Sequence, residues 1–136
     1  MMPAFSQSSI NKLATCDKKL WDLFQEVVKH FDCIILCGHR GEAEQNEAFE
    51  NHFSQLKFPD SLHNKQPSLA VDVAPYIGGR PILNDREAAC IFAGRVLQQA
   101  DILGTPIRWG GDWNGNGLTT DNKFQDLFHF ELKPLN

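Results

Sequence analysis

Ser68-Leu69-Ala70-Val71-Asp72-Val73-Ala74-Pro75-Tyr76 alternates aliphatic residues with alanine and one aspartate. In an extended chain Leu69, Val71 and Val73 fall on one face and Ala70, Asp72 and Ala74 on the other. The first face is core. The second, a carboxylate between two alanines, is the lining of a cavity. Toward the N-terminus, Cys33-Ile34-Ile35-Leu36-Cys37 is a short apolar run closed by Gly38, read as a buried strand that delivers His39 and Arg40 at its end. Toward the C-terminus, Ile107-Arg108-Trp109 and Phe128-His129-Phe130-Glu131-Leu132 read as two more short strands, separated by a Gly- and Asn-rich loop from Gly110 to Lys123.

Helical periodicity fills the intervals. From Ser9 to His30 the residues Ile10, Leu13, Leu20, Trp21, Phe24, Val27 and Val28 recur mostly at three- and four-residue steps, the pattern of one amphipathic helix. Glu42 to Leu56 is rich in Glu, Ala and Gln around Ala43, Ala48, Phe49 and Phe53, a second helix with Pro59 at its exit. Asn84 followed by Glu87 makes an N-terminal cap, and Ala88, Ile91, Phe92, Val96, Leu97 and Ala100 continue a third helix that Gly104 ends. The sum is an α+β fold, about three helices packed on a small, mainly antiparallel β-sheet.

A chain of 136 residues suits a single domain spanning 1–136, with one core and one site. Its 42% hydrophobic and 22% charged residues are those of an ordinary folded domain. Thirteen basic against seventeen acidic residues leave a formal charge of -4. Without a basic stripe, a nucleic-acid partner is excluded. Met1-Met2-Pro3-Ala4-Phe5-Ser6-Gln7 has neither a basic start nor an apolar stretch, and no later segment has the length of a membrane span. Folding in the cytoplasm without stable membrane association, as a monomer, is expected. The four cysteines, Cys16, Cys33, Cys37 and Cys90, are read as reduced. Cys33 and Cys37 have the spacing of half a zinc knuckle, but no second Cys/His pair accompanies them and the intervening residues read as strand.

Two histidines lie near carboxylates at positions that strands and loops can bring together. His63 lies in the loop ahead of the Asp72 strand, and His129 follows Asp126 by three residues. Two imidazoles and one carboxylate suit a catalytic zinc ion with an open fourth position, leaving the second carboxylate free to activate water. His30, His39 and His52 have no such company and are read as surface or hydrogen-bonded residues.

Over nearly its whole length the chain resembles the M15 peptidases, the family of D-Ala-D-Ala dipeptidases and carboxypeptidases and of phage L-alanyl-D-glutamate endopeptidases. The resemblance is carried by Gly38-His39-Arg40 with Glu42-Ala43-Glu44-Gln45, the Ser61–Tyr76 block, Trp109-Gly110-Gly111-Asp112-Trp113 and Asp126-Leu127-Phe128-His129-Phe130-Glu131-Leu132, and it is strongest to the short phage endolysins. It implies a Hedgehog- or DD-peptidase-like fold, Zn2+ held by His63, Asp72 and His129, and Asp126 as catalytic base. Arg40 then faces either the substrate or the developing oxyanion, and Ser61 either bonds substrate or orders its loop. Peptidoglycan is the implied partner, and an enzyme without an export signal would reach it through membrane holes made by a separate protein. Two departures stand out. The family's Ser-x-His-x-x-Gly-x-Ala-x-Asp is two residues longer here, with Ser68 at the Gly position, so Asn64 to Pro67 must bulge outward. Asp126 replaces the Glu of the dipeptidase branch, which points to cross-link peptides as substrate. A D-Ala-D-Ala carboxypeptidase or dipeptidase is the alternative activity; a non-catalytic wall-binding module would need a lost ligand or base, and none is lost.

Of the tryptophans, Trp109 is read as core and Trp113 is left open between core and groove. Asp112, Asn114 and Asn116, with Gly117 next, match the first half of a calcium loop, and Lys123 stands where the bidentate Glu belongs. With Asp121 as substitute the loop is either a Ca2+ site or a plain Asn/Gly turn.

Overall fold

The structure, a computed structural model, describes residues 2–134. Its elements run α1 (Gln7–Leu13), α2 (Lys18–His30), β1 (Cys33–Cys37), α3 (Glu42–Glu50), a 3₁₀ turn (Leu62–Asn64), β2 (Ala70–Ile77), β3 (Arg80–Pro81), α4 (Arg86–Leu103), β4 (Ile107–Trp109) and β5 (His129–Leu132). The α+β architecture stands, with four α-helices among the described residues rather than three. The expected helix over Ser9–His30 is broken because Asp17 caps a new one, its carboxylate accepting from Lys19 N at 2.9 Å. The break is pinned by backbone bonds across to Ser68, from Asp17 N to Ser68 O and from Ser68 N to Thr15 O.

Two helix boundaries and one strand also differ from expectation. α3 stops at Glu50, where Asn51 caps it and His52 turns to φ 63°, so Phe53 to Leu56 belong to a loop. Asp85, rather than Asn84, caps α4, accepting from Ala88 N at 3.0 Å. β3 is an addition: Gly78 and Gly79, at φ 64° and 81°, make a tight hairpin of the kind that favours glycine and return Arg80 and Pro81 onto β2.

The sheet order is β1-β2-β5-β4, with β3 on β2, and every pairing is antiparallel. One face packs beneath α2 and α4, where Phe24, Phe92 and Phe130 meet edge to face at 5.6 and 6.1 Å. Val71 and Val73 point into this core, as their alternation requires; Leu69, ahead of the strand, lines a cleft on the other side instead. Truncating a fully buried phenylalanine such as Phe130 would cost about 3–5 kcal/mol.

The opposite face carries the polar residues in two cross-strand rows. Asp72 pairs with Cys37 on β1 and His129 on β5, and Glu131 pairs with Ala70 on β2 and Arg108 on β4. Directly opposed residues of an antiparallel pair project to the same side, so both rows face the cleft.

Candidate metal centre

His63 reaches the rows from the 3₁₀ turn. Ser61 caps that turn, its Oγ accepting from His63 N at 3.2 Å, while Asn64 Oδ1 accepts from Ser61 N at 3.0 Å. The longer loop closes on itself between Leu62 and Leu69, whose amide bonds Leu62 O, and Lys65 to Pro67 are exposed. The two extra residues therefore bulge outward without displacing His63, which is buried against the sheet.

Three donor atoms converge there. His63 Nε2 lies 3.2 Å from Asp72 Oδ1, His129 Nδ1 lies 3.3 Å from the same oxygen, and the two nitrogens are 3.3 Å apart. The other ring nitrogens are engaged outward: His63 Nδ1 donates to Gly38 O at 2.7 Å and His129 Nε2 to Glu131 Oε1 at 2.8 Å. In the neutral rings those outer contacts take the protons, leaving inner lone pairs that face one another and a carboxylate oxygen. Such a triangle is repulsive without a cation at its centre. Its edges match the tetrahedron around a zinc ion with bonds of about 2.0 Å, whose edges are about 3.3 Å. The donor set therefore fits a divalent metal.

The electrostatics agree. Burial by itself would depress both imidazoles, yet the charge of Asp72 and its hydrogen bonds dominate in the metal-free protein. They push His63 up to about 10, and with help from Glu131 they push His129 up to about 9. Asp72 is raised by burial but held well below the usual carboxylate range by His63 and His129. The cavity attracts positive charge, whether proton or metal.

Asp126 offers an oxygen within 4.8 Å of donor atoms of Asp72 and His129. Burial and the charge of Asp72 raise its pKa, against partial relief from the histidines. Its backbone is tied to Gly110, Asp126 N donating to Gly110 O at 2.8 Å. No side chain fits at Gly110, where a Cβ would stand 2.1 Å from Asp126 O.

Arg40 turns inward. Its Nη2 meets Asp72 Oδ2 at 3.3 Å and its Nη1 donates to Gln45 Oε1 at 2.9 Å. Gln45 is fully buried and passes the connection on, donating to Ser54 Oγ and Leu56 O at 2.9 and 2.6 Å. Arg40, Ser54 and Leu56 line a cleft of about 1100 Å³, together with Phe53, Ser61, His63, Trp113, Asp126 and His129. Trp109 is core, as expected, and Trp113 belongs to the cleft, 5.5 Å from the His129 ring.

Reading the sequence missed Cys37, Glu131, Arg108 and Gln45. Cys37 presents its sulfur with His63 and Asp72 inside the same 4.8 Å limit, whereas Cys33 is buried opposite Pro75, so the two cysteines do not form a zinc knuckle. Residues of the suggested calcium loop hydrogen-bond among themselves. Asp112 accepts from Asn116 N and Gly117 N, and Asp121 accepts from the amides of Asn114 and Asn116, bonds that depress the Asp121 pKa.

A two-histidine, one-aspartate donor triangle with a free carboxylate beside it, set in a peptide-sized cleft, is the equipment of a metal-assisted hydrolase. The phage L-alanyl-D-glutamate peptidase family model matches residues 1–133. The L-alanyl-D-glutamate peptidase of Escherichia phage T5 is 31% identical over 115 residues, 83% of each chain. The crystal structure of the Serratia marcescens L-Ala D-Glu endopeptidase ChiX superposes with a TM-score of 0.75 at 22% identity, covering 96% of this chain and 90% of that one. The chain belongs to the phage L-alanyl-D-glutamate peptidase family.

Proposed function

We propose that the L-alanyl-D-glutamate peptidase activity of this chain, directed at the stem peptides of bacterial peptidoglycan, depends on a zinc ion held by His63, Asp72 and His129, with Asp126 as the base. The observation that carries it is the convergence of His63 Nε2, Asp72 Oδ1 and His129 Nδ1 at 3.2–3.3 Å with both outer nitrogens engaged elsewhere. When bound, zinc supplies Lewis acidity that acidifies water and polarises a carbonyl.

The chain's own residues do the rest. Asp126 takes the proton of the attacking water and returns it to the leaving amine. Arg40, permanently charged, holds the second oxygen of Asp72 and so keeps Oδ1 aimed inward. Ser61 orders the turn that presents His63. The cleft walls, apolar at Phe53, Leu56 and Phe124 and basic at Lys123, suit an extended peptide with a free carboxylate. Among the described residues no helix is long and apolar enough to cross a membrane. A calcium ion at the 112–121 loop would act structurally and would have to draw Asp121 away from Asn114 and Asn116; a calcium titration lost in Asp121→Asn supports it, and a flat one leaves a hydrogen-bonded turn.

The test is metal analysis of wild type beside His129→Ala, followed by digestion of purified cell walls. One equivalent of zinc, lost in the variant, together with new glutamate amino termini by mass spectrometry, is the expected result. Zinc-free protein that still cuts would overturn the metal assignment, and release of free D-alanine would make the activity a carboxypeptidase.

A further inference from the structure

Beyond the donor triangle, the second cross-strand row forms a relay with a defined polarity. Arg108 Nε and Nη2 both donate to Glu131 Oε2, at 3.1 and 2.6 Å, and Glu131 Oε1 accepts from His129 Nε2 at 2.8 Å. Glu131 is buried and Arg108 is half-exposed on the cleft wall, its guanidinium 5.9 Å from the Trp113 ring. Arginine has only donors and an ionised carboxylate only acceptors. Paired with Arg108, Glu131 is ionised and accepts at both ends, and this in turn fixes a proton of His129 on Nε2. The lone pair is left on Nδ1, the atom facing Asp72 and His63.

We propose that Glu131, oriented by Arg108, is a positioning residue that sets the tautomer of His129 and thereby makes Nδ1 available to the metal. This rests on His129 being a ligand. The consequence is a counter-intuitive order of substitutions. In Glu131→Gln the amide must turn its oxygen to Arg108, because Arg108 cannot accept. Its NH2 then faces His129 Nε2 and asks for a lone pair there. The ring proton moves to Nδ1 and blocks the donor triangle, as an Asp→Asn change inverts the histidine of a serine-protease triad. In Glu131→Ala the Nε2 proton is free to bond water, so the near-isosteric glutamine is the more damaging replacement. Removing the arginine as well restores freedom: in the double variant Arg108→Met with Glu131→Gln, the glutamine can present its oxygen to Nε2.

The experiment measures zinc affinity of metal-free protein by competition with a chromophoric chelator, for wild type, His129→Ala, Arg108→Met, Glu131→Ala, Glu131→Gln and the double variant, with circular dichroism to confirm folding. Loss of an outer partner of a ligand histidine typically weakens metal binding about 10- to 100-fold. Glu131→Ala is expected near the lower end and Glu131→Gln at or beyond the upper. The double variant should recover most of the difference, and Arg108→Met alone should change affinity only a few-fold. Nitrogen-15 NMR of metal-free protein above about pH 9, where the His129 ring is neutral, should report Nε2–H in wild type and Nδ1–H in Glu131→Gln. If His129→Ala binds zinc as wild type does, the ligand reading itself fails. If His129→Ala loses zinc but Glu131→Gln binds no worse than Glu131→Ala, or the double variant shows no recovery, the tautomer relay is refuted while the metal centre stands.

Discussion

Gly110→Ala tests how Asp126 is held. The added methyl would stand 2.1 Å from Asp126 O, 3.0 Å from its carbonyl carbon and 3.1 Å from its Cβ. Every one of these is backbone or backbone-proximal, so no side chain can swing aside. Relief requires the strand end and the 126 segment to part by more than an ångström, at the cost of the 2.8 Å bond between Asp126 N and Gly110 O. A misplacement of about 1 Å in a reacting group is worth about 100-fold in rate, or about 2.7 kcal/mol of transition-state stabilisation. The assay is kcat/KM on a synthetic stem peptide at saturating zinc, with folding checked by circular dichroism. The expected fall is about 100-fold, carried by kcat. Because the effect passes through Asp126, adding Gly110→Ala to an Asp126→Asn background should cost far less than it does alone. A folded Gly110→Ala enzyme within threefold of wild type, or full additivity in the cycle, would refute the reasoning.

Asp126→Asn should lower kcat by about 100- to 10,000-fold, the usual worth of a general base, while zinc still binds with one equivalent. Only the ionised form of Asp126 accepts a proton, so the wild-type rate profile should carry an acid limb that disappears in Asp126→Asn; in metal-free protein burial and Asp72 raise the Asp126 pKa above its ordinary value. Metal-free protein should lose stability as pH rises through about 9 to 10: His63 and His129, raised in the folded state to about 10 and about 9, contribute fully below their unfolded value near 6.5 and nothing above the folded ones. Thermal melts at pH 6, 8 and 10 check this, and a melting temperature flat across that window contradicts it. Gly94→Ala should stabilise the protein by about 1 kcal/mol, since Gly94 is exposed inside α4 with nothing within 4 Å of an added Cβ; denaturant unfolding reads it directly.

The donor triangle was legible because each member sits in a pattern with its own physical logic. Asp72 interrupts an aliphatic alternation on the side occupied by alanines, and His129 follows Asp126 by three residues, a spacing that leaves both beside Asp72. β1 and β4 were readable to the residue, as their apolar runs are bounded by glycine or turn residues. Cys37 was hidden by a bulge. Cys33 and Ile35 oppose Pro75 and Val73 in regular register, but the shift between Ile35 and Cys37 sets Cys37 opposite Asp72, turning a residue of core parity toward the cleft. The Arg108–Glu131 row depends on β4 lying beside β5, which no local pattern states. The break at Asp17 was masked because the apolar spacing runs on across it, while the capping carboxylate gains its meaning from contacts with distant Ser68. Gln45, on a helix with little apolar character, is buried for its hydrogen bonds rather than its hydrophobicity.

β5 follows every other strand in sequence yet is inserted between β2 and β4. A nascent chain that has emerged as far as α4 already holds His63 and Asp72, but it has neither His129 nor Asp126, and β4 will have no neighbour until β5 arrives. On the roles proposed for those two residues, proteolysis or premature termination before residue 126 cannot leave a partly active enzyme. The donor triangle is completed in one step, when the late strand closes the gap between β2 and β4.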